Sequence, residues 1–537
     1  MLRCGAARLY SKKKAVNDLN VFPIPDGDTG DNMYMTIEAG CNAISADGTL
    51  GETAEKASRG MLLGARGNSG VILSRIFAGL ARGTAGTESI GVDGLKKAMQ
   101  CAVEDAYKAV STPVEGTILT VLREGVENCR DAASIEDWFT GIIPAMKASL
   151  EHTPELLPVL KEAGVVDSGG AGLLCIMQGM KDALEGNVQE YEIPAAKQAK
   201  PALNLDDFGP DTPLEFGYCT EFLLRLQHGK VPDIEKFDVS VIRDYLTAVG
   251  NSVVCFKDGS IVKAHVHTRT PGEILSHVQT WGEFLTVKIE NMTLQHSEAD
   301  IHDHFDEEEE DDLLTAKKRY AVVTVAAGEG LVQAFRDTGA DYVIEGGQTM
   351  NPSAQDFIKA FDAVKAETVF VFPNNSNIIM AAQQAAGMYG KSKVLVLPSK
   401  TIGAGYVACA SLDRSCPDVE EIVKAAIDNM DTVATCQVSR AIRDASQGGV
   451  DVKAGDYIAF ERGNILCSAP TAEEAALQAV GKMGIDSHDV ALVFRGQEAS
   501  PKEAEALSQA LQSAHPRTEI MPSNGGQPVF EYIIVLC

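Results

Sequence analysis

Apolar residues recur every three to four positions in Ala54–Leu63, Val71–Arg82, Leu95–Ala109, Ile118–Cys129 and Ala171–Leu184, the spacing of one buried helix face. Gly-rich turns separate these segments and strand-like alternation is nearly absent, so residues 1–190 predict an all-α domain. Residues 191–213 lose the periodicity and carry Pro194, Pro201, Pro210 and Pro213, the composition of a linker. From Tyr218 the period shortens. Cys219–Leu226 and Ser260–Thr268 read as strands with a helix between them at Ile234–Val249, which predicts a small α+β domain over 214–297. A second linker, 298–317, is strongly acidic. Beyond it the β-rich runs Tyr320–Ala326, Thr368–Phe372 and Lys393–Leu397 alternate with helical segments such as Ile378–Tyr389, the pattern of a parallel α/β sheet. Tyr457–Phe460, Val490–Phe494 and Val529–Leu536 add strands to this last domain, 318–537.

Composition narrows the function classes. A chain of 537 residues holds several cores without disulfide or metal staples. Its 47 Lys and Arg against 75 Asp and Glu leave a net charge of −28, and Glu298–Asp312 contains acidic residues with no Lys or Arg. Nucleic acid and anionic membrane surfaces are poor partners for such a chain, because phosphate recognition needs clustered Lys and Arg. No apolar run approaches the roughly 18 residues a membrane helix requires. The 12 cysteines form no Cys-x-x-Cys pair and Met1–Tyr10 lacks the apolar core of a signal peptide, so reduced thiols in a cytoplasmic protein are expected.

Four segments carry chemistry. In Asn20–Met33, Asp26 and Asp28 stand two apart in a turn shaped by Pro23, Pro25, Gly27 and Gly30, which suits a hard cation such as Mg²⁺. An EF-hand loop is excluded because Asp31 and Ile37 occupy the positions that need Gly and Glu; an ordinary Asp-Gly turn is the simpler alternative. Gly67-Asn68-Ser69-Gly70 opens directly into a helix, offering backbone amides and the positive helix end to an anion. No Lys-Ser/Thr follows, so this is not a Walker loop, and a plain helix cap is the alternative. Gly116-Thr117 and Asp167-Ser168-Gly169-Gly170 repeat the small, polar helix entrance. Such entrances in one helical domain are expected to converge on a polyphosphate.

Together with Glu115–Thr120, Gly164–Gly172, Gly217–Glu221 and Lys263–Thr268, these strings resemble the dihydroxyacetone kinase L-subunit family. Within it they look like the three-domain branch of fatty acid kinase ATP-binding subunits. The resemblance implies a helical barrel, a middle α+β domain and a C-terminal α/β domain related to a lipid-carrier (DegV-like) fold. It implies Mg²⁺ and ATP as cofactors, with Asp26 and Asp28 as catalytic magnesium ligands. Asn32, Gly67, Asn68, Ser69, Gly70, Gly116 and Thr117 would surround the phosphates, Asp167 would lie near the nucleotide, and Asn20 stands close to the Asp pair. Asp31 departs from the family, where a neutral residue is usual, and Met1 falls inside what resembles the family's first helix. The implied reaction is phosphorylation of a fatty acid carboxylate, presented by a separate fatty-acid-binding protein, to an acyl phosphate for phospholipid synthesis. A homodimer through the middle domain is implied, as is docking of the carrier on the C-terminal domain. Removing residues from 318 onward is therefore expected to spare ATP binding and abolish coupled turnover. A small-ketone kinase of the dihydroxyacetone type and a non-catalytic nucleotide-sensing scaffold are the other readings.

His265 and His267 share one face of their strand, and Cys219 on another strand completes a candidate Zn²⁺ set, with Glu221 nearby. Polar residues on an exposed face and a buried Cys are the alternative. Thr401–Ala408 resembles a dinucleotide fingerprint but lacks the following acidic residue and reads as a packing turn. Asn374–Asn377 reads as a polar loop at the carboxyl edge of a sheet, and His302 and His304 as linker residues.

Overall fold

The computed structural model describes residues 1–19, 21, 24, 27–45, 48–110, 112–186, 218–234, 236–258, 260–291, 318–348 and 350–537. Asn20, Asp26, His302 and His304 lie outside them, as do the side chains of Cys219, Glu221, His265 and His267.

The first domain is helical: α1 (Leu2–Asn17), α2 (Thr29–Ala43), α3 (Leu50–Gly64), α4 (Gly67–Gly83), α5 (Val92–Lys108), α6 (Ile118–Asn128), α7 (Ile135–Leu156), α8 (Pro158–Ala163) and α9 (Ser168–Leu184). Leu9, Met33, Ile37, Met61, Leu73, Val121, Ile142 and Ile176 form its core. Helices α1 and α2 show little apolar periodicity because small or polar residues supply much of their buried faces: Gly5, Ala6 and Ala7 in α1, Gly30, Asn32, Thr36 and Gly40 in α2. The helices cross closely. A Cβ on Gly79 would strike Cys101 of α5, and one on Gly179 would strike Cys4 of α1.

The middle domain is a sheet of order β2-β3-β1-β4, built from β1 (Tyr218–Leu226), β2 (Asn251–Asp258), β3 (Ile261–Thr268) and β4 (Gly282–Asn291), all antiparallel. Helices α10 (Ser240–Val249) and α11 (Pro271–Val278) pack Ile242, Leu246, Ile274 and Val278 onto Phe222, Leu224, Val262 and Val266. Helix α10 starts later than the expected Ile234. The Asp238 carboxylate accepts from the Ser240 N–H at 2.9 Å, an Asx turn at the helix entrance.

In the C-terminal domain, β5 (Lys318–Ala326), β6 (Tyr342–Glu345), β7 (Ala366–Phe372) and β8 (Lys393–Val396) form a parallel sheet of order β6-β5-β7-β8. Helices α12 (Glu329–Asp337), α13 (Ala354–Val364), α14 (Ser376–Met388), α15 (Ile402–Ala410) and α16 (Val419–Asp431) accompany it. The rest is built on a mixed six-stranded sheet in which β9 (Ala434–Arg440), Tyr457–Glu461 and Tyr532–Leu536 run antiparallel, with a two-stranded sheet and the helices Ala472–Lys482 and Pro501–Ala514 beside it. The last strand begins three residues later than expected because Val529 takes φ +70° and turns the chain before it. Thr401–Ala408 is not a turn. Thr401 caps α15, and Gly403 and Gly405 allow close approach of Val535 and Asn374.

The helical and C-terminal domains form one compact unit, 1–193 with 316–537; residues 194–315 form the other. Hydrophobic burial joins the two parts of the first unit. Ile24, 2% exposed, belongs to the α/β core beside Tyr320 and Phe494, while Ala65 and Val71 belong to the core around Phe357 and Ile378. Among the described residues, no helix is long and apolar enough to cross a membrane.

Candidate functional site

The helix entrances singled out in the sequence stand side by side. Gly67 opens α4 with φ +56°, a left-handed conformation that glycine adopts without a Cβ penalty. A Cβ there would sit 2.7 Å from Asn32 Nδ2, so α4 begins directly against the first turn of α2. Thr36 reinforces this seam: its Oγ1 donates to the Asn32 carbonyl at 2.7 Å and accepts from the Arg66 N–H at 3.3 Å. Helix α2 meets α9 where Ser168 Oγ donates to Thr29 Oγ1 at 3.2 Å. Helix α9 meets α6 through Asp167, whose carboxylate accepts from the amides of Gly170, at 2.7 Å, and Ile118. The α4, α2, α9 and α6 N-termini therefore form a continuous row of positive dipole ends, in which the Gly30 amide is already bonded to Asn17 and the Gly170 and Ile118 amides to Asp167.

Asp28 stands at the N-cap of α2, yet its side chain does not cap the helix. Its Oδ2 accepts instead from Asn351 Nδ2, supplied by the C-terminal domain. Asp167 caps α9 and holds its own backbone N–H on Thr153 Oγ1 at 3.1 Å. Burial pushes its pKa up to about 6, against the two amides that lower it. Gly116 has φ +83° and its N–H donates to Thr120 Oγ1 at 2.8 Å. Thr120 Oγ1 donates in turn to Glu115, which Arg123 also binds, at 3.0 Å. Burial works against the Glu115 anion, but bonds from Thr120, Arg123 and Tyr107 hold its carboxyl below the usual range. Thr117 caps α6.

Asn32, Gly67 and Gly70 are thus adjacent on the α2–α4 seam, while Gly116, Thr117 and Asp167 gather on the α6–α9 side. Asn68 Nδ2 reaches Asn377 Oδ1 of α14 at 3.4 Å, and Ser69 is half-buried in the first turn of α4. Asp31 faces away from this row: it binds Lys13 at 2.7 Å and Asn17 at 2.6 Å, fastening α2 to α1. The polar loop stands at the carboxyl edge of the C-terminal sheet, where Asn374 and Asn375 line a cavity with Gln348 and Gln527. Asn374, 5% exposed, bonds Thr324, Val325 and Ser399 inside the domain, and Asn377 contacts the helical domain.

The donor set fits a hard cation with polyphosphate. Carboxylate and amide oxygens border the row, and the buried Oδ1 atoms of Asn68 and Asn351 have no hydrogen-bond partner among the described residues. No three His, Cys, Asp or Glu side chains among the described residues gather as a metal cage. Mg²⁺ needs none, since water and phosphate oxygens complete its octahedron. For zinc, the backbone places Cys219 opposite His267 and Glu221 opposite His265 across β1 and β3. Sequence reasoning missed Arg66, Thr36, Thr29, Ser168 and Asn351. Thr29 and Ser168 lie inside the quoted motifs and Arg66 directly precedes one, but Asn351 is 323 residues from Asp28 and carries no local signal.

Comparison with known proteins covers nearly the whole chain. The DAK2 domain model matches residues 23–182, the FakA-like middle-domain model of fatty acid kinases matches 215–299, and the FakA-like C-terminal model matches 321–536. Protein YloV of Bacillus subtilis is 38% identical over 99% of this chain and 97% of its own length. An uncharacterized protein of Staphylococcus epidermidis is 34% identical over 100% of this chain and 98% of its own. Among solved structures, the fatty acid binding protein DegV of B. subtilis aligns with 41% of this chain and 99% of its own, at 13% identity and a TM-score of 0.32. The Fak B3 protein of Streptococcus pneumoniae, loaded with linoleic acid, aligns over 41% and 99% at 12% identity and a TM-score of 0.28.

Proposed function

The chain belongs to the FakA-like fatty acid kinase family, and from that membership we propose that it transfers the γ-phosphoryl group of ATP to a fatty acid carboxylate, giving an acyl phosphate. The observation that carries the reading is the row of helix N-termini closed by Asp28 and Gly67. Phosphoryl transfer depends on positioning and charge neutralisation more than on covalent help. Asp28, with Asp26, would hold Mg²⁺, which when bound neutralises charge on the phosphates. The α4 entrance at Gly67, Asn68, Ser69 and Gly70 would offset charge on the phosphate oxygens, with Asn32 beside it, and the α6 and α9 entrances at Gly116, Thr117 and Asp167 would line the other side. A carboxylate acceptor is ionised at pH 7, so the site requires no strong general base.

A fatty acid is sparingly soluble, so a separate fatty-acid-binding protein presents its head group. Cys219, His265 and His267 are proposed as a zinc site across β1 and β3, supported by their register. Leu285, Val287 and Ile289 are 47%, 39% and 42% exposed on the edge strand β4, an apolar stripe suited to a homodimer. The test is Mg-ATP consumption by the full chain with fatty acid, with and without a lipid-loaded carrier. ADP and acyl phosphate should form only with the carrier and vanish in Asp28→Ala. ATP binding without carrier-dependent turnover would overturn the reading in favour of a small-ketone kinase or a nucleotide-sensing scaffold.

A further inference from the structure

We propose that Asn351, from the C-terminal domain, is a positioning residue for Asp28, so that the cation end of the nucleotide site is built from both domains. The inference rests on the reading of Asp28 as a magnesium ligand and assigns a residue that the helical domain does not contain.

Three observations converge. First, Asn351 is 1% exposed, its Nδ2 donates to Asp28 Oδ2, and its Oδ1 is buried without a partner among the described residues. A buried acceptor left unsatisfied is destabilising. That cost is removed if a donor such as cation-bound water enters beside Asp28. Carboxylates that bind metals are themselves held by hydrogen bonds, and here Asn351 supplies one.

Second, Asn351 is locked to the α4 entrance. Arg66 Nη1 donates to the Asn351 carbonyl at 2.7 Å, Arg66 pairs with Asp356 at 3.6 Å, and the Ala354 N–H donates to the Ala65 carbonyl at 3.2 Å. The residue that steadies Asp28 is thus tied to the residue preceding Gly67, which links the cation and phosphate ends.

Third, both motif segments are anchored in the C-terminal domain: Ile24 in one of its cores, Ala65 and Val71 in another. Arg443 adds bonds to the carbonyls of Asp18, at 3.0 Å, and Val21, at 3.3 Å. The expectation that residues from 318 onward can be removed without touching ATP binding does not fit these contacts.

The test titrates ATP into the full-length protein calorimetrically at stepped Mg²⁺ concentrations, and again in EDTA. Asn351→Ala should raise the Mg²⁺ concentration giving half of the full affinity gain by about tenfold, with metal-free ATP affinity unchanged. Gln384→Ala is the interface control. It removes bonds to the Leu62 carbonyl, at 2.6 Å, and to Arg75, at 3.1 Å, and should leave that midpoint in place. Equal shifts in both variants would reduce Asn351 to an interface contact and overturn the proposal. So would an unmoved midpoint in Asn351→Ala while Asp28→Asn moves it. If Asp28→Asn also leaves it unmoved, the magnesium reading falls and the proposal with it. Asn351→Asp, which keeps the shape and removes the donor, guards against misfolding. It sets two carboxylates face to face, so Mg²⁺ alone should raise its melting temperature more than that of the wild type, and an equal rise would refute the juxtaposition.

Discussion

Replacing Gly67 by Ala tests whether the α4 entrance is a nucleotide cradle or only a helix start. At φ +56° the added Cβ brings a conformational cost of about 1–2 kcal/mol. It also meets Asn32 Nδ2 at 2.7 Å and Cγ at 3.2 Å, inside ordinary van der Waals contact, so Asn32 must withdraw. Asn32 is 6% exposed and has little room to move without disturbing the first turn of α2. Gly86 separates the two effects. It has φ +70°, and a Cβ there meets nothing within 4 Å, so Gly86→Ala carries the conformational cost alone. Gly86→Ala should lose about 1–2 kcal/mol in urea unfolding, and Gly67→Ala more, because Asn32 must also give way. Only Gly67→Ala should weaken ATP binding by calorimetry. Loss of one hydrogen bond to a charged phosphate is worth about 1.5–3 kcal/mol, which is about tenfold or more in affinity. Wild-type ATP affinity in Gly67→Ala, or an equal loss in Gly86→Ala, would refute the cradle.

Two further outcomes follow from burial. The Asp167 pKa stands above its ordinary value, at about 6 against 3.8, so between those values the folded chain holds a proton that the unfolded chain releases. Its contribution is therefore complete below pH 3.8 and is lost as pH rises through about 6, by at most about 3 kcal/mol. Asp167→Asn should flatten that part of the stability–pH curve, measured by urea unfolding at pH 4.5 and 7; parallel curves for the two proteins would contradict the burial argument. Ile24→Ala, in the α/β core at 2% exposure, should cost about 2–5 kcal/mol in the same measurement and weaken Mg-ATP binding with it. Full stability would mean that the Asp26–Asp28 segment is not anchored there.

The sequence exposed those parts of the fold whose physics is local. Amphipathic spacing identified α3, α4, α5, α6 and α9, and β-branched runs identified β5, β7 and β8 to within a few residues. Glycine-rich polar entrances identified the α2, α4, α6 and α9 N-termini, because a chain that starts a helix tightly against another must shed its side chains there. Where small polar residues filled the interior, as in α2, the hydrophobic period was faint. Short-range polar bonding also displaced boundaries that apolar spacing set too early, as Asp238 did for α10.

Tertiary structure alone decided which entrances touch and what closes them. Asp31, beside the motif aspartates in sequence, is drawn to Lys13 and Asn17 by a partner helix, whereas Asn351, more than 300 residues away, lies against Asp28. Ile24 and Val71 read as part of the helical domain but are buried in the cores of the C-terminal one. Periodicity reports which residues avoid water but not which surface covers them. That choice is made by the packing of whole domains, and it places part of this site outside the helices that carry its motifs.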